Sequence, residues 1–154
     1  MGLRGPFCTY RFDTAHPGLA VFVAGGTGIG PVISLVQTAL RGAAQRKLLV
    51  LFGARDALEM ASASALQQWA ARDARLKFVP VLSDEPADSA WQGLRGTAVD
   101  ALQAQRADFF GATAYLCGPP PMVEAAKKIL LAKGVDATDM YHDRFAPAAI
   151  GAAP

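Results

Sequence analysis

Two glycine-rich turns constrain this chain more than any other feature. The first is Val21-Phe22-Val23-Ala24-Gly25-Gly26-Thr27-Gly28-Ile29-Gly30-Pro31, and the second is Tyr115-Leu116-Cys117-Gly118-Pro119-Pro120-Pro121-Met122. Each follows an apolar run of strand character and precedes a run of helical character. A strand that stops at glycine and reopens as a helix brings backbone N–H groups and the positive end of a helix dipole to one point. That point suits a phosphate. Two such turns at the carboxyl ends of strands in one sheet can hold the two ends of a dinucleotide.

Between the turns, strand and helix patterns alternate. Leu19–Ala24, Leu48–Phe52, Leu76–Leu82 and Thr113–Cys117 read as buried strands, and Asp139–His142 as a short fifth. Pro80 pushes the third towards a sheet edge or an irregular end. Helices are expected over Pro31–Leu40, Ala61–Ala71, Thr97–Ala104 and Pro120–Lys133, the last ended by Gly134. Residues 83–96 read as a polar loop. This alternation predicts an α/β fold: a doubly wound parallel five-stranded sheet of order 3-2-1-4-5 with helices on both faces. Strands one and four then flank the point where strand order reverses, and both glycine turns follow those two strands. The expected organisation is a lead-in over residues 1–18, a nucleotide-binding domain over 19–147 and a flexible tail over 148–154.

In the first turn, four glycines and a threonine fall within six residues. Bare glycine backbone lets a pyrophosphate approach, and the Thr27 hydroxyl adds a donor. The stretch does not satisfy G-x-G-x-x-G, because Pro31 stands where the last glycine belongs, and it is no Walker A loop. In the second turn, Pro119–Pro121 stiffen the start of a helix. Cys117 has two readings: a small buried hydrophobe at a strand end, or a soft sulfur set against a planar ring in the crevice.

Composition narrows the class further. A chain of 154 residues with 52% hydrophobic and 18% charged residues carries enough apolar surface for one cored domain. A formal charge of +2 without a Lys/Arg run argues against a nucleic-acid surface. No apolar run approaches a membrane span. Two cysteines, Cys8 and Cys117, supply neither a disulfide framework nor a four-cysteine cluster, which fits a cytoplasmic setting. His16 and His142 lack metal-ligand spacing, so no metal site is expected. Trp69 and Trp91 read as packing residues, and Lys127, Lys128 and Lys133 as a solvated helix face.

Four motifs in order carry a family resemblance: Val23–Pro31, Leu51-Phe52-Gly53-Ala54-Arg55, Tyr115–Val123 and Tyr141-His142-Asp143-Arg144-Phe145. Together they resemble the nicotinamide-binding half of the ferredoxin–NADP reductase superfamily, in the manner of the electron-transfer reductases of bacterial oxygenases. The resemblance runs from about Gly5 to Pro147. It implies an α/β domain that follows a flavin-binding β-barrel. It also implies hydride transfer from nicotinamide to FAD, with electrons then passing to an iron–sulfur protein or an oxygenase. By motif, Gly25 to Pro31 form the cofactor-facing turn, with Gly26, Thr27, Gly28 and Gly30 towards the pyrophosphate and ribose. Cys117 and Gly118 fall beside the nicotinamide, with Cys117 in the catalytic position. Pro119, Pro120 and Met122 shape that wall, Arg55 approaches the adenosine end, and Phe145 lies near the flavin or nicotinamide pocket.

The family's flavin motif, Arg-x-Tyr-Ser/Thr, does not occur here, and Leu3-Arg4-Gly5-Pro6-Phe7 resembles only the end of the barrel. The expectation is therefore half of a reductase, inactive by itself, whose FAD belongs to a separate domain. NADH is expected over NADPH: Arg55 is followed by Asp56 and Glu59, with no further Arg or Lys before Arg72. Glu59 matches an acidic position common in NADH-using members. Two alternatives stand beside this reading. One is a non-catalytic nucleotide-binding or docking module that partners a separate flavin chain. The other, a self-contained dehydrogenase, is disfavoured by the missing fingerprint and by the lack of a Tyr-x-x-x-Lys pair.

Overall fold

Continuous burial along the central strands forces a layered architecture. The computed structural model of the chain describes residues 18–42 and 44–144. β1 (Ala20–Gly25), β2 (Leu48–Ala54) and β5 (Thr113–Gly118) are buried almost throughout. Odd and even residues face opposite sides of a strand, so a strand buried on both faces needs helices above and below. Ala20, Phe22 and Ala24 pack with one set, which includes Val32 and Val36 of α1 (Ile29–Arg41) and Leu66 of α3 (Ser64–Arg72). Val21 and Val23 pack with the other, which includes Leu102 of α4 (Ala98–Ala104) and Val123 and Leu130 of α5 (Pro120–Ala132).

The sheet is parallel throughout, in the order β4-β3-β2-β1-β5-β6. The five anticipated strands occur in the anticipated order, with β3 at Leu76–Leu82 and β6 at Met140–Arg144. The sheet nevertheless has six strands rather than five. The segment taken for a plain polar loop contains β4, Leu94–Arg95, which pairs only with Val81 and Leu82. Two exposed residues leave no periodic signature, so strand propensity could not reveal them. Along Leu76–Pro80, β3 has a strand partner on one side only among the described residues, consistent with Pro80 near an edge.

Local chemistry moves the helix bounds. α1 begins two residues before Pro31, which sits at its third position, where a missing N–H costs nothing. The helical stretch after β2 begins earlier than expected, at Ala57. Asp56 caps α2 (Ala57–Met60) by accepting from the Glu59 N–H at 2.9 Å, and a single 3-10 turn, Ala61–Ala63, leads into α3. Thr97 and Asp100 form a reciprocal capping box at the start of α4. Gly134, at φ +102°, follows the end of α5.

At the pole opposite the glycine turns, two arginines bind carbonyls. Buried Arg46 donates to the Gly18 carbonyl at 2.7 Å and to the Thr113 hydroxyl. Arg75 makes a paired contact with Asp73 and donates to the carbonyls of Leu40 and Ala44 at 2.9 and 2.6 Å, closing the end of α1. Lys133 differs from its expected solvated role: its ammonium donates to the Gln105 carbonyl at 2.5 Å and lies over the Phe109 ring.

Residues 1–17, including Cys8 and His16, lie outside the described residues, as do Phe145 and the tail over 148–154.

Candidate functional site

Adjacent parallel pairing of β1 and β5 brings the two glycine turns side by side. Ala24 aligns with Cys117, so both strands release their chains at the same level. The first turn then folds back as a single 3-10 turn, Gly26–Gly28, with Gly26 at φ +59°. That left-handed value favours glycine. Gly28 is pressed against the end of β5: a Cβ there would stand 2.6 Å from the Cys117 carbonyl carbon. The two turns also share Met122. Its sulfur would lie 2.9 Å from a Cβ on Gly25 and 3.0 Å from one on Gly118.

Above this junction opens a crevice of about 470 Å³, within the range of small-molecule sites. Gly25 and Gly26 line it from the first turn, and Pro119 and Met122 from the second. Arg55 and Glu59 line it from the end of β2 and α2. Six of the expected site residues thus meet in one cavity at the carboxyl ends of the strands.

The other expected residues take different places. Gly28 and Gly118 are buried beneath the junction, Thr27 is exposed on the turn, Gly30 is exposed in the first turn of α1, and Pro31 and Pro120 are half-buried. Cys117 is fully buried among the apolar side chains on the Phe22 and Tyr115 face of the sheet. It meets the first turn through its backbone, and its side chain is not part of the crevice lining.

The opposite wall was not visible in the sequence reading. Ser83 follows β3, and Gly96, Thr97 and Ala98 connect β4 to α4. The Thr97-x-x-Asp100 spacing was the available signal, since it fixes a helix start at that point. Gly53 admits Ala98 closely: a Cβ at Gly53 would lie 2.9 Å from the Ala98 nitrogen.

The two turns are chemically unequal. No side chain caps α1, and positions beside Gly26 and Gly30 are open, with nothing within 4 Å of where a Cβ would stand. That is a cradle with room for an anion against backbone. α5 instead begins with Pro119 at its cap and Pro120 and Pro121 in its first turn, so three successive positions have no N–H. The second turn therefore offers a stiff apolar wall rather than a second anion cradle. At the far end, the Arg55 N–H donates to Glu59 Oε1 at 2.7 Å, and the Arg55 guanidinium lies 3.5 Å from Glu59 Oε2. Among the described residues, no cluster of three His, Cys, Asp or Glu that could hold a metal ion is found, and no helix is long and apolar enough to cross a membrane. The lining thus joins bare glycine backbone, prolines and Met122 to two charged side chains, Arg55 and Glu59.

Residues 22–128 match the family described as the oxidoreductase NAD-binding domain. The chain is 34% identical over 151 residues to the reductase component of phenol 2-monooxygenase from Pseudomonas sp. (strain CF600), covering 97% of this chain and 43% of that protein. It is 35% identical over 149 residues to the xylene/toluene monooxygenase electron transfer component of Pseudomonas putida, covering 93% and 41%. Among solved structures, the Amycolatopsis cytochrome P450 reductase superposes with a TM-score of 0.76 at 30% identity, covering 94% of this chain and 41% of that one. The chain therefore spans less than half the length of these relatives.

Proposed function

We propose, from the premise that this chain belongs to the oxidoreductase NAD-binding domain family of ferredoxin–NADP reductase type, that its crevice binds NADH as the nicotinamide-binding part of an oxygenase electron-transfer reductase. One observation carries this reading. The two glycine turns close on each other through Gly28, Cys117 and Met122 and open onto one cavity rather than two.

The pyrophosphate belongs at the first turn, where Gly26 and Gly30 leave backbone open and the N-terminus of α1 lacks a side-chain cap. The nicotinamide belongs at the second, where the prolines and Met122 present a flat, water-excluding surface that loses little entropy on binding. The adenosine ribose reaches Arg55 and Glu59 on the far wall, and Glu59 there accepts from a free 2′-hydroxyl. When bound, the nicotinamide supplies a hydride to an FAD carried by a separate domain, from which electrons reach an iron–sulfur or oxygenase partner. Cys117 lies beneath this site: its backbone seats Gly28, and its side chain is buried in the core. Phe145 is assigned to the nicotinamide side by motif alone.

Isothermal calorimetry of the chain with NADH and NADPH tests the proposal. Saturable binding of both, tighter for NADH, is the expected result. Equal or tighter binding of NADPH overturns the nucleotide preference, and no binding of either overturns the assignment.

A further inference from the structure

Two helices on the Phe22 and Tyr115 face of the sheet each end in an arginine, Arg41 on α1 and Arg72 on α3. Their ends meet at a groove of about 290 Å³, which both arginines line together with Leu40 and Trp69. Leu40 and Trp69 are half-buried and pack onto the apolar cluster beneath, so one side of each is held by the core and the other faces the groove. Both arginines are exposed, and neither side chain makes a hydrogen bond or ion pair among the described residues.

A cation in the last turn of a helix ordinarily answers the partial negative charge of free carbonyls. At the end of α1 that role already belongs to Arg75, which donates to the carbonyls of Leu40, Gly42 and Ala44 at 2.9, 3.2 and 2.6 Å. Arg75 is itself matched by Asp73 at 2.7 Å, and Asp73 lines the groove as half of that fixed, neutral pair. The net charge at the groove therefore comes from Arg41 and Arg72. A further recess of about 250 Å³, which Arg75 lines, is bordered by the exposed Lys47 and Lys77, and they extend the positive field along the amino ends of β2 and β3.

We infer that this groove docks a segment of a partner protein in which an apolar side chain is flanked by carboxylates. The side chain covers Trp69 and Leu40, and the carboxylates pair with Arg41 and Arg72, whose planar forks suit them. Tryptophan and arginine together are the residues that carry most of the energy at protein interfaces, whereas lysines such as Lys47 and Lys77 serve the rim and steer approach. A formal charge of +2 does not furnish the dense cationic stripe that a nucleic acid needs. Within this sequence neither end supplies the acidic segment: residues 1–17 hold Asp13 against Arg4 and Arg11, and residues 145–154 hold no charge. The 13 residues of α1 separate the groove from the first glycine turn, about 20 Å of helix, and no residue lines both cavities. A partner held there leaves the crevice open, so the inference goes beyond the nucleotide reading and does not rest on it.

A short peptide with one leucine set among glutamates is titrated onto the chain, read by tryptophan emission and by calorimetry. Saturable binding is expected, weaker when the leucine is replaced by glycine. Each charge reversal, Arg41→Glu and Arg72→Glu, should weaken it about fivefold to tenfold. Lys128→Glu, at an exposed position of α5 on the other face of the sheet, should leave it unchanged. The emission change should vanish in Trp69→Phe, which keeps an aromatic ring against the core and retains Trp91. NADH affinity should be the same with and without the peptide. Binding that ignores both arginines, or no binding at millimolar peptide, overturns the inference. Tighter binding of a single-stranded oligonucleotide of equal charge overturns it in favour of nucleic acid. A mass of the chain alone that rises with concentration in sedimentation, and does not in Arg72→Glu, overturns it in favour of a second copy. If the peptide binds as expected and neither nucleotide does, the nucleotide reading fails alone.

Discussion

Gly28 and Gly30 stand two residues apart in one glycine run and do opposite work. A Cβ on Gly28 meets the backbone of Cys117, which cannot swing aside, whereas a Cβ on Gly30 meets nothing within 4 Å. Gly28→Ala should therefore destabilise the fold by about 2–3 kcal/mol, as overpacking against backbone does, and lower the denaturant midpoint accordingly. Gly30→Ala lies inside α1 and should leave stability unchanged or raise it by up to about 1 kcal/mol. It should nonetheless weaken NADH binding in calorimetry, because the added methyl fills the cradle. Equal loss of stability in both variants would contradict the division between packing and ligand space. The run itself is plain in the sequence. Which glycine touches protein and which faces open space depends on where β5 comes to rest, and no local pattern encodes that.

At the scale of elements, the end of α1 shows how a helix is closed by a residue from elsewhere. Arg75 gathers carbonyls of Leu40 and Ala44 while paired with Asp73, and that guanidinium lowers the Asp73 carboxyl from 3.8 to about 2. Because the folded chain holds this carboxylate more firmly than the unfolded chain does, its stabilising share is complete above the ordinary carboxylate range. It is lost as pH falls from about 4 towards 2. With partial solvent screening the share is about 1 kcal/mol. Urea unfolding between pH 2 and 6 should show that limb in the original chain, and Asp73→Asn should flatten it. A limb of the same depth in the variant would place the acid sensitivity elsewhere. The longer elements were legible because their apolar periodicity spans several turns or pairs. α2 and β4 escaped for a shared reason. Each is too short to have a period, and each is held by a group distant in the chain, α2 by the Glu85 carboxylate that accepts from the Ala57 N–H and β4 by the Leu82 carbonyl that accepts from the Gly96 N–H.

Across the whole molecule, the crevice draws lining from β1, β2, α2, α4, α5 and the loop after β3 together. A ligand that spans it binds the folded chain alone and must stabilise all of it by mass action. NADH at a hundredfold excess over its dissociation constant should add about 2.7 kcal/mol, a rise in Tm of about 5–10 °C for a domain of this size. NADPH at the same concentration should raise Tm less. A scanning fluorimetry series reads both, and no shift with either nucleotide would contradict a site shared among these elements. The apolar clusters on the two faces of the sheet give that linkage its mechanical basis, since β1, β2 and β5 are buried in both.

The sequence by itself determined the class of fold, the order of the five long strands and the chemistry of the two turns. Those properties follow from apolar periodicity, from glycine and from proline, which act within a few residues of themselves. Only the tertiary structure decided that Cys117 meets the first turn through its backbone, with its side chain buried in the core. It alone tied the corner after β2 to Glu85 and Arg95, far along the chain from Arg55. Contacts between distant segments are fixed by how strands stack and where helices return, and a single sequence carries no local mark of them.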